Sequence, residues 1–279
     1  MSELDVTQHL GVRGWAGVIG GGSVQSALDQ SRLYGGLVAG AHARLNQTFS
    51  MGGLAGLVQS SNTALSGSET LATSTGVAGL YGRAAFGVAD IDFSLLGGAA
   101  AHHSARQVVA NNTVETATRL FSSVFVAPGF GISVPVLSSD LGEIRLVTTG
   151  NYVGGLVSAY TETGSSMNLV VGSQTIGVVD ARIGIEIDRP AAEGDAVTLT
   201  AKAGLLAQDN FGSASVPVTT FGSTLTVATP GGSAFGAYGG LKLDAALGNG
   251  LRLGAQLDGA LRTDGVLSES AKFSLAGAF

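Results

Sequence analysis

Residues Leu251 to Arg262 alternate without a break. The odd positions read Leu251, Leu253, Ala255, Leu257, Gly259 and Leu261; the even ones read Arg252, Gly254, Gln256, Asp258, Ala260 and Arg262. A β-strand sends successive side chains to opposite faces, so this segment has one apolar face and one that carries every charge. Gly177 to Asp188 does the same, with Val179, Ala181, Ile183, Ile185 and Ile187 opposite Asp180, Arg182, Glu186 and Asp188. In Phe235 to Leu247, Leu241, Leu243 and Leu247 oppose Lys242 and Asp244. Val197 to Leu205 sets its odd apolar positions against Thr198, Thr200, Lys202 and Gly204, and Ile91, Phe93 and Leu95 oppose Asp90, Asp92 and Ser94.

A soluble sandwich alternates too, but its strands usually run about 5–6 residues. The alternating runs here are nearer the roughly 9–11 residues that a tilted membrane-crossing strand needs. Composition agrees. Charged residues make up 12% of the chain, against roughly 25% in soluble domains, and the mean hydropathy is positive at +0.36. The uncharged run Leu120 to Ser139 has the length of a membrane helix, yet it holds Pro128, Pro135, Gly129 and Gly131 among serines and β-branched residues. A bent strand is the better reading. Hydrophobicity without a helical span leaves the closed barrel, since lipid offers no partner to an open sheet edge. The predicted fold is all-β: a closed antiparallel transmembrane β-barrel of twelve strands.

Turn-forming stretches place the strands near 9–20, 31–45, 48–61, 73–87, 89–106, 116–136, 142–161, 168–188, 195–209, 233–247, 250–262 and 269–279. Tight links (Leu45-Asn46-Gln47, Gly87-Val88, Gly248-Asn249-Gly250) alternate with longer ones at Gly21–Gln30, Asn62–Ala72, Val108–Glu115 and Asn210–Gly232. Short turns on one side and long loops on the other, with an even strand number, suit an outer-membrane barrel and put both chain ends on one side. Residues 1–8 read as a short extension, a truncated linker or tag-like start, and residues 9–279 as the barrel. Twelve strands predict a bore between the packed interior of eight and the aqueous channel of about sixteen. The residues predicted to line it are Asp180, Arg182, Glu186, Lys242, Asp244, Arg252, Asp258 and Arg262. They hydrate the pore and touch a passing chain or helix, or pair with one another and hold the strands in register; the two readings are compatible.

No catalytic, cofactor-binding or metal-binding set is legible. The chain has no cysteine and a net charge of −6 with no basic run, which argues against a nucleic-acid partner. His102 and His103 are adjacent, face opposite ways on a strand and cannot chelate one metal together; they read as a polar pair near a strand end. Ser66-Gly67-Ser68 and Gly20-Gly21-Gly22-Ser23 are loop compositions without a nucleophile elbow or a phosphate loop. Met1-Ser2-Glu3-Leu4-Asp5 lacks a basic start and an apolar stretch, so a natural leader is expected to have been replaced by this start.

Several segments together resemble the β-domain of autotransporters, the translocators of type V secretion. Gly11-Val12-Arg13-Gly14-Trp15-Ala16-Gly17 and Tyr34-Gly35-Gly36-Leu37-Val38-Ala39-Gly40-Ala41 are similar to that family's first two strands. Ser74 to Arg83 resembles its glycine-rich fourth strand, and Ala181-Arg182-Ile183-Gly184-Ile185-Glu186 a segment late in its eighth. The carboxyl end, Ala271 to Phe279, is a strand ending on an aromatic residue. The resemblance implies a barrel in the bacterial outer membrane, contacts with outer-membrane lipid, recognition of Phe279 by the barrel-assembly machinery, and export of an N-terminal passenger rather than enzymatic activity. Two features depart from the family pattern. Few residues precede the first strand, so the pore helix, its cleavage-site asparagine and the passenger are missing, and aromatic residues, at 6%, are thin for two interfacial girdles. The alternative is a stand-alone porin-like channel or structural barrel; an outer-membrane hydrolase ranks below both.

Overall fold

The computed structural model describes residues 12–26, 29–64, 67–110, 112–139, 142–190, 196–228, 231–248 and 250–278. In chain order the strands are β1 (Val12–Gln25), β2 (Gln30–Arg44), β3 (Phe49–Ala64), β4 (Glu69–Phe86), β5 (Ala89–Ala110), β6 (Thr113–Ser139), β7 (Gly142–Val157), β8 (Tyr160–Thr161), β9 (Val170–Val171), β10 (Gln174–Pro190), β11 (Val197–Gly212), β12 (Ser215–Thr220), β13 (Ser223–Ala228), β14 (Gly232–Gly248), β15 (Leu251–Arg262) and β16 (Val266–Ala278). Twelve of them form one closed ring, and β8, β9, β12 and β13 make a separate four-stranded sheet.

The ring closes where β1 pairs antiparallel with β16, from Arg13↔Ala278 to Gln25↔Val266. Closure removes the free edge that lipid would leave unpaired. The same pairing brings the two described ends together at one rim, the terminal rim; the opposite one is the loop rim. Strands of such a ring lean by roughly 35–45° from its axis.

The alternation in the sequence becomes an inside and an outside. Leu57, Leu120, Leu205 and Leu257 point outward and are exposed, Leu57 at 72%. In water such a belt would drive aggregation; in a bilayer it is the solvated face. Across the outward positions of the ring strands the only charges are Arg189, Asp209 and Glu269, each close to a strand end. Aromatic pairs bracket this belt. Phe49 and Phe86 meet edge-to-face at 5.8 Å at the terminal rim, and Tyr152 stacks on Phe211 at 5.9 Å toward the loop rim.

Several boundaries differ from the expected ones. β1 does not stop near residue 20: Gly21, Gly22 and Ser23 continue to Gln25 because β2 and β16 supply ladder partners on both sides. The expected long link Val108–Glu115 is strand on both flanks, with a tight turn in which Asn112 takes a positive φ of 60°. The link Asn62–Ala72 likewise shortens to the residues between Ala64 and Glu69. The strands expected at 142–161 and 168–188 end and begin at Val157 and Gln174, and the chain between them forms β8 and β9. Asn210–Gly232 folds into the β12–β13 hairpin. Leu120 to Ser139 lies within the single strand β6, whose pairing shifts between Pro135 and Leu137 because proline has no N–H to donate.

Candidate functional site

The lumen gathers the polar faces of all twelve ring strands. A cavity of about 600 Å³ in it is lined by Asp92 of β5, Asn151 of β7, Glu186 of β10, Lys202 of β11, Tyr238 of β14 and Asp258 of β15, among others. With Tyr81 of β4 and Gly129 of β6, residues of eight ring strands meet this one space, which identifies it as the interior. A second cavity of about 770 Å³ lies toward the loop rim, with Gln25, Arg32, Gln208 and Arg262 in its lining.

Of the eight residues expected to line the bore, Arg182, Glu186 and Asp258 line the first cavity and Arg262 the second, and Asp180, Lys242, Asp244 and Arg252 share the parity of lining residues on β10, β14 and β15. Arg182 Nε donates to Asp180 at 2.8 Å, and Lys242 pairs with Asp244 at 2.6 Å, each along one strand. Asp258 pairs with Lys202 at 2.7 Å, two strands away. The pair crosses over Gly240, which sits between them in register; a Cβ there would meet the Asp258 carboxylate and would lie 2.8 Å from the Lys202 stem. Arg262 pairs with Asp264 and donates to Gln208 at 2.6 Å. Glu186 and Arg252 make no ion pair among the described residues. Phe279 lies outside the described residues.

Other inward groups were not among those eight. Arg83 pairs with Asp92, its register partner on β5, and Arg145 reaches Asp90 across β6 and Glu143 on its own strand, all at 2.7 Å. Asp92 and Lys202 sit on the polar side of segments already read as alternating, so the period that marked the chosen eight marks these too. Tyr238 lies over Gly184 and Gly204, where an added Cβ would come 2.5 Å from its hydroxyl and 2.7 Å from its ring, and the Arg182 guanidinium sits 5.5 Å from the ring centroid. Trp15 Nε1 donates to the Tyr81 hydroxyl at 2.6 Å.

The histidine pair sits inside β5 rather than near a strand end, because β5 runs on to Ala110. His102 faces inward, with Nδ1 2.9 Å from the Thr73 hydroxyl and Nε2 2.8 Å from that of Ser123. Among the described residues no group of three metal-ligating side chains converges.

At the loop rim the chain from Ser158 to Ser173 folds against the wall formed by β5 and β6. Its backbone pairs with β6 through Ser158 to Ser122 and Thr163 to Thr118. Glu162 is 1% exposed and is held by Arg106 at 2.6 Å and Arg119 at 2.8 Å. It also accepts the Leu169 amide at 3.0 Å. Arg119 continues to Glu69, and Arg106 to the Met167 carbonyl. Tyr160 stacks on Phe121 at 4.8 Å beneath the Arg119 guanidinium. Burial on its own would raise the Glu162 pKa, but the two arginines and the amide outweigh it and hold the carboxyl below its ordinary value.

The family model described as the autotransporter beta-domain matches residues 12–258. No curated protein matches the chain in sequence. Among solved structures the chain is similar to the translocator domain of the autotransporter NalP from Neisseria meningitidis, with 17% identity, a TM-score of 0.78, and 96% of this chain and 88% of that one covered. It is similar to the beta domain of the Bordetella autotransporter BrkA, at 15% identity and a TM-score of 0.69, covering 96% of this chain and 100% of that one. The transport unit of AIDA-I from Escherichia coli shares the fold at 10% identity and a TM-score of 0.52, with 95% and 90% covered.

Proposed function

The chain belongs to the autotransporter beta-domain family and is a barrel of the bacterial outer membrane, and from that membership we propose that it anchors there and helps export an N-terminal passenger through or beside its pore. The observation that carries this reading is the joint presence of a closed twelve-stranded ring, a polar lumen, and a first strand that begins at the same rim where the last one ends. A chain attached before β1 is thereby delivered to the mouth of the lumen. The bore of a twelve-stranded ring takes one extended chain or one helix and excludes a folded domain, so the passenger crosses unfolded and folds outside.

In this reading residues 9–279 are the barrel and residues 1–8 a short extension. The eight inward charges keep the bore wet and touch the passing chain, Phe279 is read by the barrel-assembly machinery, and the barrel makes and breaks no bonds. The test places a signal peptide and an epitope-bearing segment ahead of residue 1 in a Gram-negative host. Protease added to whole cells should remove the epitope from the surface. An epitope that stays protected in the periplasm while the barrel is folded in the outer membrane would sink the proposal.

A further inference from the structure

The charges of the lumen are sorted by side near the terminal rim. β1, β2 and β3 contain no aspartate or glutamate, and carry Arg13 and Arg44 at this rim and Arg32 toward the loop rim. Together with Lys272 of β16 and Arg252 of β15, Arg13 and Arg44 line one arc of the wall. None of these four cations has a carboxylate within ion-pair distance among the described residues. Among the described residues Arg44 donates to the Asn46 and Gln47 carbonyls alone, and Lys272 lies 5.9 Å from the Trp15 ring centroid. In the order of the ring, β2, β1, β16 and β15 stand diametrically opposite β10, β7, β6 and β5. That opposite arc holds Asp90, Asp92, Glu143, Asp180, Glu186 and Asp188, with Arg145, Arg182 and, from the neighbouring β4, Arg83 to balance them. Six carboxylates against three guanidiniums leave an excess of negative charge there, facing four cations whose arc has, among the described residues, one inward carboxylate, Asp258, paired to Lys202.

Two opposed arcs of unlike sign set up a field across the bore, not along it. A uniformly charged chain is attracted by one wall and repelled by the other, whereas a segment with acids on one flank and bases on the other is favoured by both. We propose that the mouth of this lumen selects a charge-segregated polypeptide segment, its acidic flank against Arg13, Arg44, Arg252 and Lys272 and its basic flank against Asp92, Glu186 and Asp188. This rests on the export reading, since it describes the class of chain that occupies the pore, and it fixes how that chain is turned about the barrel axis. Exposed charges are screened over about 8 Å at physiological ionic strength, so the selection weakens in strong salt.

The test uses the full chain folded in detergent and two fluorescent helical peptides of equal composition. One carries glutamates along one face and lysines along the other; the second has the same residues scrambled. Fluorescence anisotropy should show the segregated peptide binding at least tenfold more tightly. Replacing Arg13, Arg252 and Lys272 together by glutamine should reduce that ratio below threefold, Glu186→Gln should lower it in part, and raising the salt to 1 M should do the same as the triple change. Equal binding of the two peptides, binding of neither, or a ratio untouched by the triple change would overturn the proposal. A barrel that discriminates between the peptides but displays no epitope would leave this inference standing and remove the export reading; the opposite pair of results would do the reverse.

Discussion

Replacing Glu162 by glutamine should release the chain between β7 and β10 from the wall without opening the barrel. Removing one partner of a buried ion pair costs about 3–5 kcal/mol, because the remaining charge is left without compensation. Here both arginines keep a second partner, Arg119 the Glu69 carboxylate and Arg106 the Met167 carbonyl, so the expected cost sits at the low end, about 3 kcal/mol. At 1.4 kcal/mol per tenfold, local opening becomes about a hundredfold more frequent. Hydrogen exchange reads this directly: the amides of Glu162, Thr163 and Leu169, bonded to Leu169, Thr118 and the Glu162 side chain, should exchange about a hundredfold faster, while those of β10 and β11 stay unchanged. The pH dependence has a definite sign. A carboxyl whose pKa is depressed on folding contributes stability that is present above its unfolded value and is lost as the pH falls through its folded one. The wild-type segment should therefore loosen on acidification below the ordinary glutamate range, and the glutamine variant should be flat across that window. Equal acceleration in the amides of this segment and in those of β10 and β11, or no change in either, would refute the reasoning.

On the lipid face, Leu257→Arg should destabilise the folded barrel by about 2–4 kcal/mol in vesicle-based urea titrations if the residue lies near mid-bilayer; a loss under 1 kcal/mol would mean that this face meets water. Gly204→Val should push the Tyr238 ring off its seat and cost about 1–3 kcal/mol by overpacking, seen as a lower unfolding midpoint in the same titration, and Gly259→Val, where the nearest atom stands at 3.9 Å, should cost less. Tyr81→Phe removes the partner of the chain's one tryptophan, so the emission of Trp15 should shift while stability falls by about 1 kcal/mol; an unchanged spectrum would mean that the hydrogen bond is not made.

The fold was legible in the sequence because its main signal is local. Leu251 to Arg262 shows two solvents on two faces within one strand, and no neighbour is needed to read which side chains go where. The same parity placed Asp258 and Arg262 inward and Leu257 outward. Glycine hid some of the pattern: Gly21 and Gly22 read as a loop because they have no side chains to alternate, and only ladders on both flanks make them strand. Tertiary structure alone decided the rest. Glu162 lies in a link without periodicity, and its partners Arg106 and Arg119 are more than 40 residues away on other strands. The reach of Lys202 over Gly240 to Asp258 depends on three strands being in register. The separation of charge across the bore exists only because closure sets β1 opposite β7. A single strand states which of its faces meets water, but it carries no information about which strand stands on the far side of the ring, and the electrostatics of the lumen are fixed by that second relation.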